Sequence, residues 1–297
     1  MDVPIDYFTE RHWDNVAAAR SFDSTDCAKA LIESMRECIG DLRDRKILDV
    51  GVGNGALAVA FATERAQVVG IDLSRRGLSD LHCQLIKFPE DQVSGKAVKL
   101  LQMDAHWLGF KDASFDLVTM LKTIWVFPDA IACLRQLARA LRPSGRLVIQ
   151  CWEAPDDCSL LTTGAQILGE RVRSLQLPAD VTGPFDFTPA RLERYLLATG
   201  FRDVVLNHYV QDFSVESPEH YWELFRSLAG SAYYAFAAQS DAEREEISTE
   251  LLARTSDMRS QGSLRLRLRW MVACATRDGE KVLAGHEREA AIVALRT

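Results

Sequence analysis

Ile47-Leu48-Asp49-Val50-Gly51-Val52-Gly53-Asn54-Gly55-Ala56 is the stretch that decides the fold. An apolar run feeds straight into three glycines spaced two apart, and Ala56-Leu57-Ala58-Val59-Ala60-Phe61-Ala62 follows at once as a helix former. Glycine accepts the positive φ of a sharp turn and lets backbone approach a ligand with no side chain between them. The helix that begins there offers N–H groups without intrahelical partners and the positive end of its dipole. The pattern predicts a strand–glycine loop–helix cradle for a nucleotide. Gly51, Gly53 and Ala56 also satisfy the looser dinucleotide fingerprint, so the loop alone leaves two ligands open.

Three carboxylates separate them. Asp49 stands two residues before the first glycine, where its charge disfavours a pyrophosphate and suits a sulfonium or an amino group. A second apolar run, Val68-Val69-Gly70-Ile71, ends in Asp72, placed to accept from both hydroxyls of a ribose. A third, Val98-Lys99-Leu100-Leu101-Gln102-Met103, ends in Asp104-Ala105, placed to hold an adenine amino group. The ligand with a ribose, an adenine amine, a positive charge and no phosphate is S-adenosylmethionine.

The chain resembles the class I S-adenosylmethionine-dependent methyltransferases, in the small-molecule branch that includes the quinone-biosynthesis enzymes. The likeness is carried in family order by Asp49–Gly55, Gly70-Ile71-Asp72-Leu73-Ser74, Asp104-Ala105, Ser114-Phe115-Asp116-Leu117-Val118, Phe127-Pro128-Asp129 and Leu141-Arg142-Pro143-Ser144-Gly145-Arg146-Leu147. It covers roughly residues 45–152 and continues more weakly to about Arg277. The resemblance implies Asp49, Gly51, Gly53 and Gly55 around the methionine moiety of the cofactor, Asp72 and Leu73 at the ribose and adenine, Asp104 and Ala105 at the adenine, and Leu121 beneath the sulfur. It implies methyl transfer to an O, N or C atom of a small aromatic or lipophilic metabolite. Two other readings stay open: a cyclase or isomerase that binds S-adenosylmethionine on the same fold, and an NAD-dependent oxidoreductase.

Composition bounds the partners. The 297 residues are long enough for a substantial core. A net charge of −7 and a pI near 5.5 argue against nucleic acid, which calls for a basic face. No window approaches the ~20 apolar residues of a membrane span, and the first residues lack the basic and apolar regions of a signal peptide. A cytoplasmic protein is expected. The seven cysteines show no C-x-x-C spacing and read as buried thiols, with no metal site. The sequence leaves the oligomeric state open.

Strand and helix patterns alternate after about residue 45, which predicts an α/β fold: a doubly wound, Rossmann-like, seven-stranded and mostly parallel sheet with helices on both faces. Helices are expected over 74–87, 130–141 and 189–200, the last stopped by Gly200. Pro143-Ser144-Gly145 should turn into a fifth strand over Arg146–Trp152, with later strands over 203–210 and within 266–277. By resemblance, the last inserts antiparallel between the fifth and sixth. The chain reads as one methyltransferase domain with its core over about 41–152, 189–213 and 264–278. A helical cover over 1–40 and lid insertions over 153–188 and 214–262 complete it.

The insertions should close over the carboxyl ends of the strands, where open parallel sheets bind ligands. The lid holds Tyr221, Trp222, Phe225, Tyr233, Tyr234 and Phe236, which pack the helices, with two or three expected to line an apolar acceptor pocket. Trp125 stands where relatives carry a histidine or small residue; it either packs on the sheet or narrows the pocket. Of six histidines, His12 is the candidate base, because segments before the first strand cover the acceptor in this family. His106, His208 and His220 are poorer candidates, and His82 and His286 read as surface residues. Arg265, Arg267 and Arg269 alternate with leucines on one strand face, as a solvated charged face or as an anion grip.

Overall fold

Alternation of apolar residues builds the centre of the sheet. In β1 (Lys46–Val50), Ile47 enters one apolar cluster while Leu48 and Val50 enter the other, so both faces of the strand are covered. The computed structural model describes residues 9–19, 26–89, 97–172, 182–255, 259–260 and 263–279. Strands β2 (Gln67–Asp72), β3 (Val98–Gln102), β4 (Phe115–Leu121) and β5 (Leu141–Trp152) lie parallel to β1. The order is β3-β2-β1-β4-β5-β8-β6, with β6 spanning Phe201–Val215 and β8 spanning Ser263–Arg277. β8 runs antiparallel to both neighbours, as the resemblance implied. A two-residue β7 (Arg259–Ser260) pairs with β8 off this path, an addition to the seven expected strands.

Two boundaries and the burial of one cysteine differ from expectation. Pro143-Ser144-Gly145 lies inside β5, as an irregularity in its pairing with β4, with Ser144 at φ 60°. β6 and β8 pair from Val215↔Leu264 to Phe201↔Arg277 and form a longer arm than the apolar runs indicated. Charged residues on its outer face hid that length. Cys83 is exposed on α4 (Arg75–Leu85), whereas the other six cysteines are buried.

Helices α1 (Glu10–Ala19) and α2 (Asp26–Ile39) precede the sheet, and α3 (Ala56–Thr63) leaves the glycine loop. α5 (Ala130–Ala140) starts at Asp129, whose side chain accepts from the Ala132 N–H, and buries the stripe Ile131, Leu134, Leu137 and Ala138. α7 (Pro189–Ala198) ends before Gly200, at φ 95°. The insertions supply α6 (Ser159–Arg171), α8 (Pro218–Leu228), α9 (Gly230–Ala237) and α10 (Asp241–Arg254). The lid aromatics pack among themselves: Trp222 stacks on Phe236 at 4.1 Å, and Tyr221 lies over Phe225 at 5.7 Å. The buried Tyr221 hydroxyl donates to the Leu160 carbonyl at 2.9 Å and accepts from the Gly164 N–H at 2.7 Å, pinning α8 to α6. No helix among the described residues is long and apolar enough to cross a membrane.

Candidate functional site

Strand order reverses between β1 and β4, and a cavity of ≈ 600 Å³ opens beyond their carboxyl ends. Asp49, Gly51, Gly53, Asp72, Leu73, Ala105 and Leu121 line it together; Gly55 and Asp104 are not among its lining residues. Gly51 has φ 68°, and a Cβ there would sit 2.4 Å from Thr123 Cγ2, so the close approach of two loops requires glycine. Gly55 has φ 77°, and its Cβ would sit 2.3 Å from Leu81 Cδ1. Packing against α4 accounts for that glycine.

Asp49 is 2% exposed and faces Thr119 across the β1–β4 ladder, whose hydroxyl donates to it at 2.9 Å. Burial pushes the Asp49 carboxyl up to about 7; the Thr119 hydrogen bond opposes the shift, and the negative charge of Asp72 adds to it. Asp72 accepts from the Gly53 N–H at 2.9 Å and the Ser74 N–H at 3.0 Å, which ties the glycine loop to the end of β2. A carboxylate has about four lone-pair directions, so two backbone donors leave room for ligand hydroxyls. Asp104 turns toward its own loop: it accepts from the His106 N–H at 2.9 Å and pairs with His106 Nδ1 at 2.7 Å. His106 lies edge-on to Phe127, a lining residue, at 5.6 Å.

The cavity also has aromatic lining, with side chains from unexpected places. Trp13 from α1, Trp125 after β4, Trp152 at the end of β5, and Phe185 before α7 line it. The six lid aromatics do not. Amphipathic spacing places a residue on the inner side of a helix but not against core or cavity, and here the lid's inner side is core. Trp125 both packs against the sheet cluster and lines the cavity, and its buried Nε1 has no hydrogen-bond partner among the described residues.

Lys122, just past β4, holds φ 60°, a costly conformation for a residue with a Cβ. Its N–H donates to Gln150 Oε1 at 3.1 Å, and its ammonium donates to the Ser227 carbonyl at the end of α8. Glu223, Arg226 and Ser231 line the cavity from α8 and α9. His12 is buried and does not line the cavity, but its Nε2 lies 3.2 Å from Ser231 Oγ, which does.

The remaining sequence candidates lie elsewhere. His208 is paired with Glu153, His220 Nδ1 accepts from the Glu216 N–H at 3.4 Å, His82 is exposed, and His286 lies outside the described residues. Arg265 and Arg267 are exposed; Arg267 pairs with Asp212 at 2.8 Å and Arg269 with Glu153 at 2.8 Å. None of the three lines the cavity, which favours the charged strand face over an anion grip. The described residues hold no cluster of metal-ligating side chains.

Residues 48–149 match a methyltransferase domain family. The chain is 32% identical over 139 residues to 27-O-demethylrifamycin SV methyltransferase of Amycolatopsis mediterranei, covering 46% of this chain and 48% of that one. It is 28% identical over 141 residues to a ubiquinone biosynthesis O-methyltransferase of Alkalilimnicola ehrlichii, covering 45% and 55% respectively. The chain thus spans about half the length of these curated relatives. Among solved structures, a Haemonchus contortus phosphoethanolamine N-methyltransferase 2 in complex with S-adenosyl-L-methionine matches with a TM-score of 0.56 at 17% identity, over 92% of this chain and 58% of that one. The [4+2]-cyclase SpnF matches with a TM-score of 0.56 at 16% identity, over 94% and 98%. At such identities the likeness concerns the fold.

Proposed function

We propose that this chain, whose residues 48–149 match a methyltransferase domain family, transfers a methyl group from S-adenosylmethionine to an O, N or C atom of a small aromatic or lipophilic metabolite. The observation that carries the reading is the Asp49 carboxyl, buried at the glycine loop with Asp72 facing the same cavity. Two carboxyl groups there repel a pyrophosphate, and a cation relieves the cost of ionising Asp49.

Bound there, S-adenosylmethionine supplies an electrophilic methyl group on a sulfonium. Asp49 would compensate the positive charge, and Gly51 and Gly53 would let backbone approach the methionine moiety. Asp72 would accept from its ribose, Leu73 and Ala105 would hold its adenine, and Leu121 would pack against its methionine end. Trp13, Trp125 and Trp152 hold a flat acceptor and exclude water from the attacking atom. Orientation of this kind supplies roughly 7–11 kcal/mol of barrier lowering. For a hydroxyl acceptor, Ser231 takes the acceptor proton as its own passes to His12 Nε2.

Titration calorimetry with S-adenosylmethionine, S-adenosylhomocysteine and NAD tests the cofactor, and radiolabelled methyl incorporation across a panel of phenols, quinols and amines tests the transfer. Selective binding of the first two ligands with incorporation into one acceptor class is expected. Preferential binding of NAD would return the glycine loop to the dinucleotide reading. Selective cofactor binding with no incorporation anywhere favours the cyclase or isomerase alternative, a chemistry that a neighbour on this fold carries.

A further inference from the structure

The sheet ends on one side at β3 and on the other at β6. β3 is a short edge of five residues and carries the exposed Lys99, a charge of the kind that keeps a sheet border from further pairing. β6 runs fifteen residues and pairs, among the described residues, with β8 alone. One row of its backbone N–H and C=O groups therefore meets no other described strand. Its middle is Val204-Val205-Leu206-Asn207-His208-Tyr209-Val210, rich in β-branched and aromatic side chains, with no Asp, Glu, Lys, Arg or Pro. Such a run on an open edge lacks the residues that block pairing with another chain. The irregularity in its pairing with β8, between Arg202 and Val205, touches only the start of the run. Val205 and Val210 are an odd number of positions apart and so stand on opposite faces of the strand. They are 53% and 60% exposed, so neither face is fully covered there.

We propose that this edge docks a second copy of the chain, the two β6 strands running antiparallel about a two-fold axis at Asn207 and joining both sheets into one. Opposite residues in an antiparallel pair turn their backbone groups the same way. Two identical strands must therefore place the axis on a residue, not between two. An axis on Asn207 lays the whole run on itself: Val204 opposite Val210, Val205 opposite Tyr209 and Leu206 opposite His208. β-branched and aromatic residues facing one another across strands are favourable pairs. Moving the axis by one residue sets Arg202 opposite Val210, or Asp212 opposite Val204. With the axis on Asn207, Arg202 of each copy falls beside Asp212 of the other, so opposite charges meet at the rim of the pair. On their own chain Arg202 pairs with Asp203 and Asp212 with Arg267, which keeps both carboxylates neutralised at the contact. No β6 residue lines the cavity, so this docking surface is separate from the site described above.

The test is sedimentation velocity on the full chain across a dilution series, with hydrogen exchange of the same samples read by mass spectrometry. Dithiothreitol is present throughout, which excludes a disulfide through the exposed Cys83. The expected result is a monomer–dimer equilibrium in which the backbone amides of residues 204–210 exchange more slowly in the dimer. Val205→Lys combined with Val210→Lys gives the β6 edge the charge that β3 already has. Both side chains are exposed, so the far-UV circular dichroism stays as in the parent, and the double variant is monomeric where the parent dimerises. Hydrogen exchange on the parent reads the edge without any substitution. A parent chain that is monomeric at every concentration overturns the proposal. So does a dimer that survives the two lysines, or one whose slowed amides lie off β6. Slowed amides centred elsewhere on β6 overturn the register.

Discussion

Asp49→Asn is the substitution on which the electrostatic reading of the cavity stands or falls. The exchange keeps the shape of the side chain and an oxygen for the Thr119 hydroxyl, 2.9 Å away in the native chain, but removes the titratable group. The Asp49 carboxyl is raised from 3.8 to about 7 in the folded state. Below pH 4 both folded and unfolded chains hold the proton and the group contributes no pH-dependent term. Between pH 4 and 7 the unfolded chain releases the proton and the folded chain keeps it. Stability therefore falls as pH rises, by up to about 1.4 kcal/mol per unit. Above pH 7 the full cost is present, about 4 kcal/mol for a shift of about three units. Asparagine escapes that cost but brings an amide whose buried N–H groups need partners, at about 1–3 kcal/mol. The ligand-free variant should thus be more stable than the parent by about 1–3 kcal/mol at pH 8, and less stable at pH 4.5. Urea unfolding at both pH values reads the difference directly. A stability difference between the two proteins that is the same at both pH values would refute the argument.

A cationic ligand relieves the same cost. Affinity for S-adenosylmethionine in calorimetry should therefore fall about tenfold per unit as pH drops below 7, and less steeply for S-adenosylhomocysteine, which lacks the sulfonium; equal slopes would count against Asp49 facing the sulfur. Asp72→Ala should weaken cofactor binding by about 1–3 kcal/mol, whereas Arg267→Ala, on the charged strand face, should leave it unchanged; calorimetry on both variants checks the pair. Gly55→Ala should cost about 2–4 kcal/mol in urea unfolding, since the new Cβ meets both a left-handed backbone and Leu81. Tyr221→Phe should cost about 1–3 kcal/mol by removing the hydroxyl shared by the Leu160 carbonyl and the Gly164 N–H. A loss under 0.5 kcal/mol would mean water replaces it.

The lining that Asp49, the glycine loop, Asp72 and Ala105 give the cavity was legible because its parts are local. Asp49 and Gly51, Asp72 and Leu73, and Ala105 each sit within a few residues of a strand's carboxyl end, and a parallel sheet gathers those ends along one edge. Gly55 and Asp104 belong to the same pattern, yet one answers to Leu81 and the other to His106. Side-chain direction within a tight turn is not written in residue spacing. The aromatic lid shows the opposite error: its stripe was recognised, but Trp222, Phe225 and Phe236 spend it on one another.

By itself the sequence determined the doubly wound sheet, its glycine loop and the carboxyl groups at its strand ends, because strand, turn and helix signals act over short stretches of chain. Only the tertiary structure decided the rest of the lining. Trp13, Trp125, Trp152, Phe185 and Ser231 come from five separate segments, and long-range packing alone sets which of their faces meets the cavity.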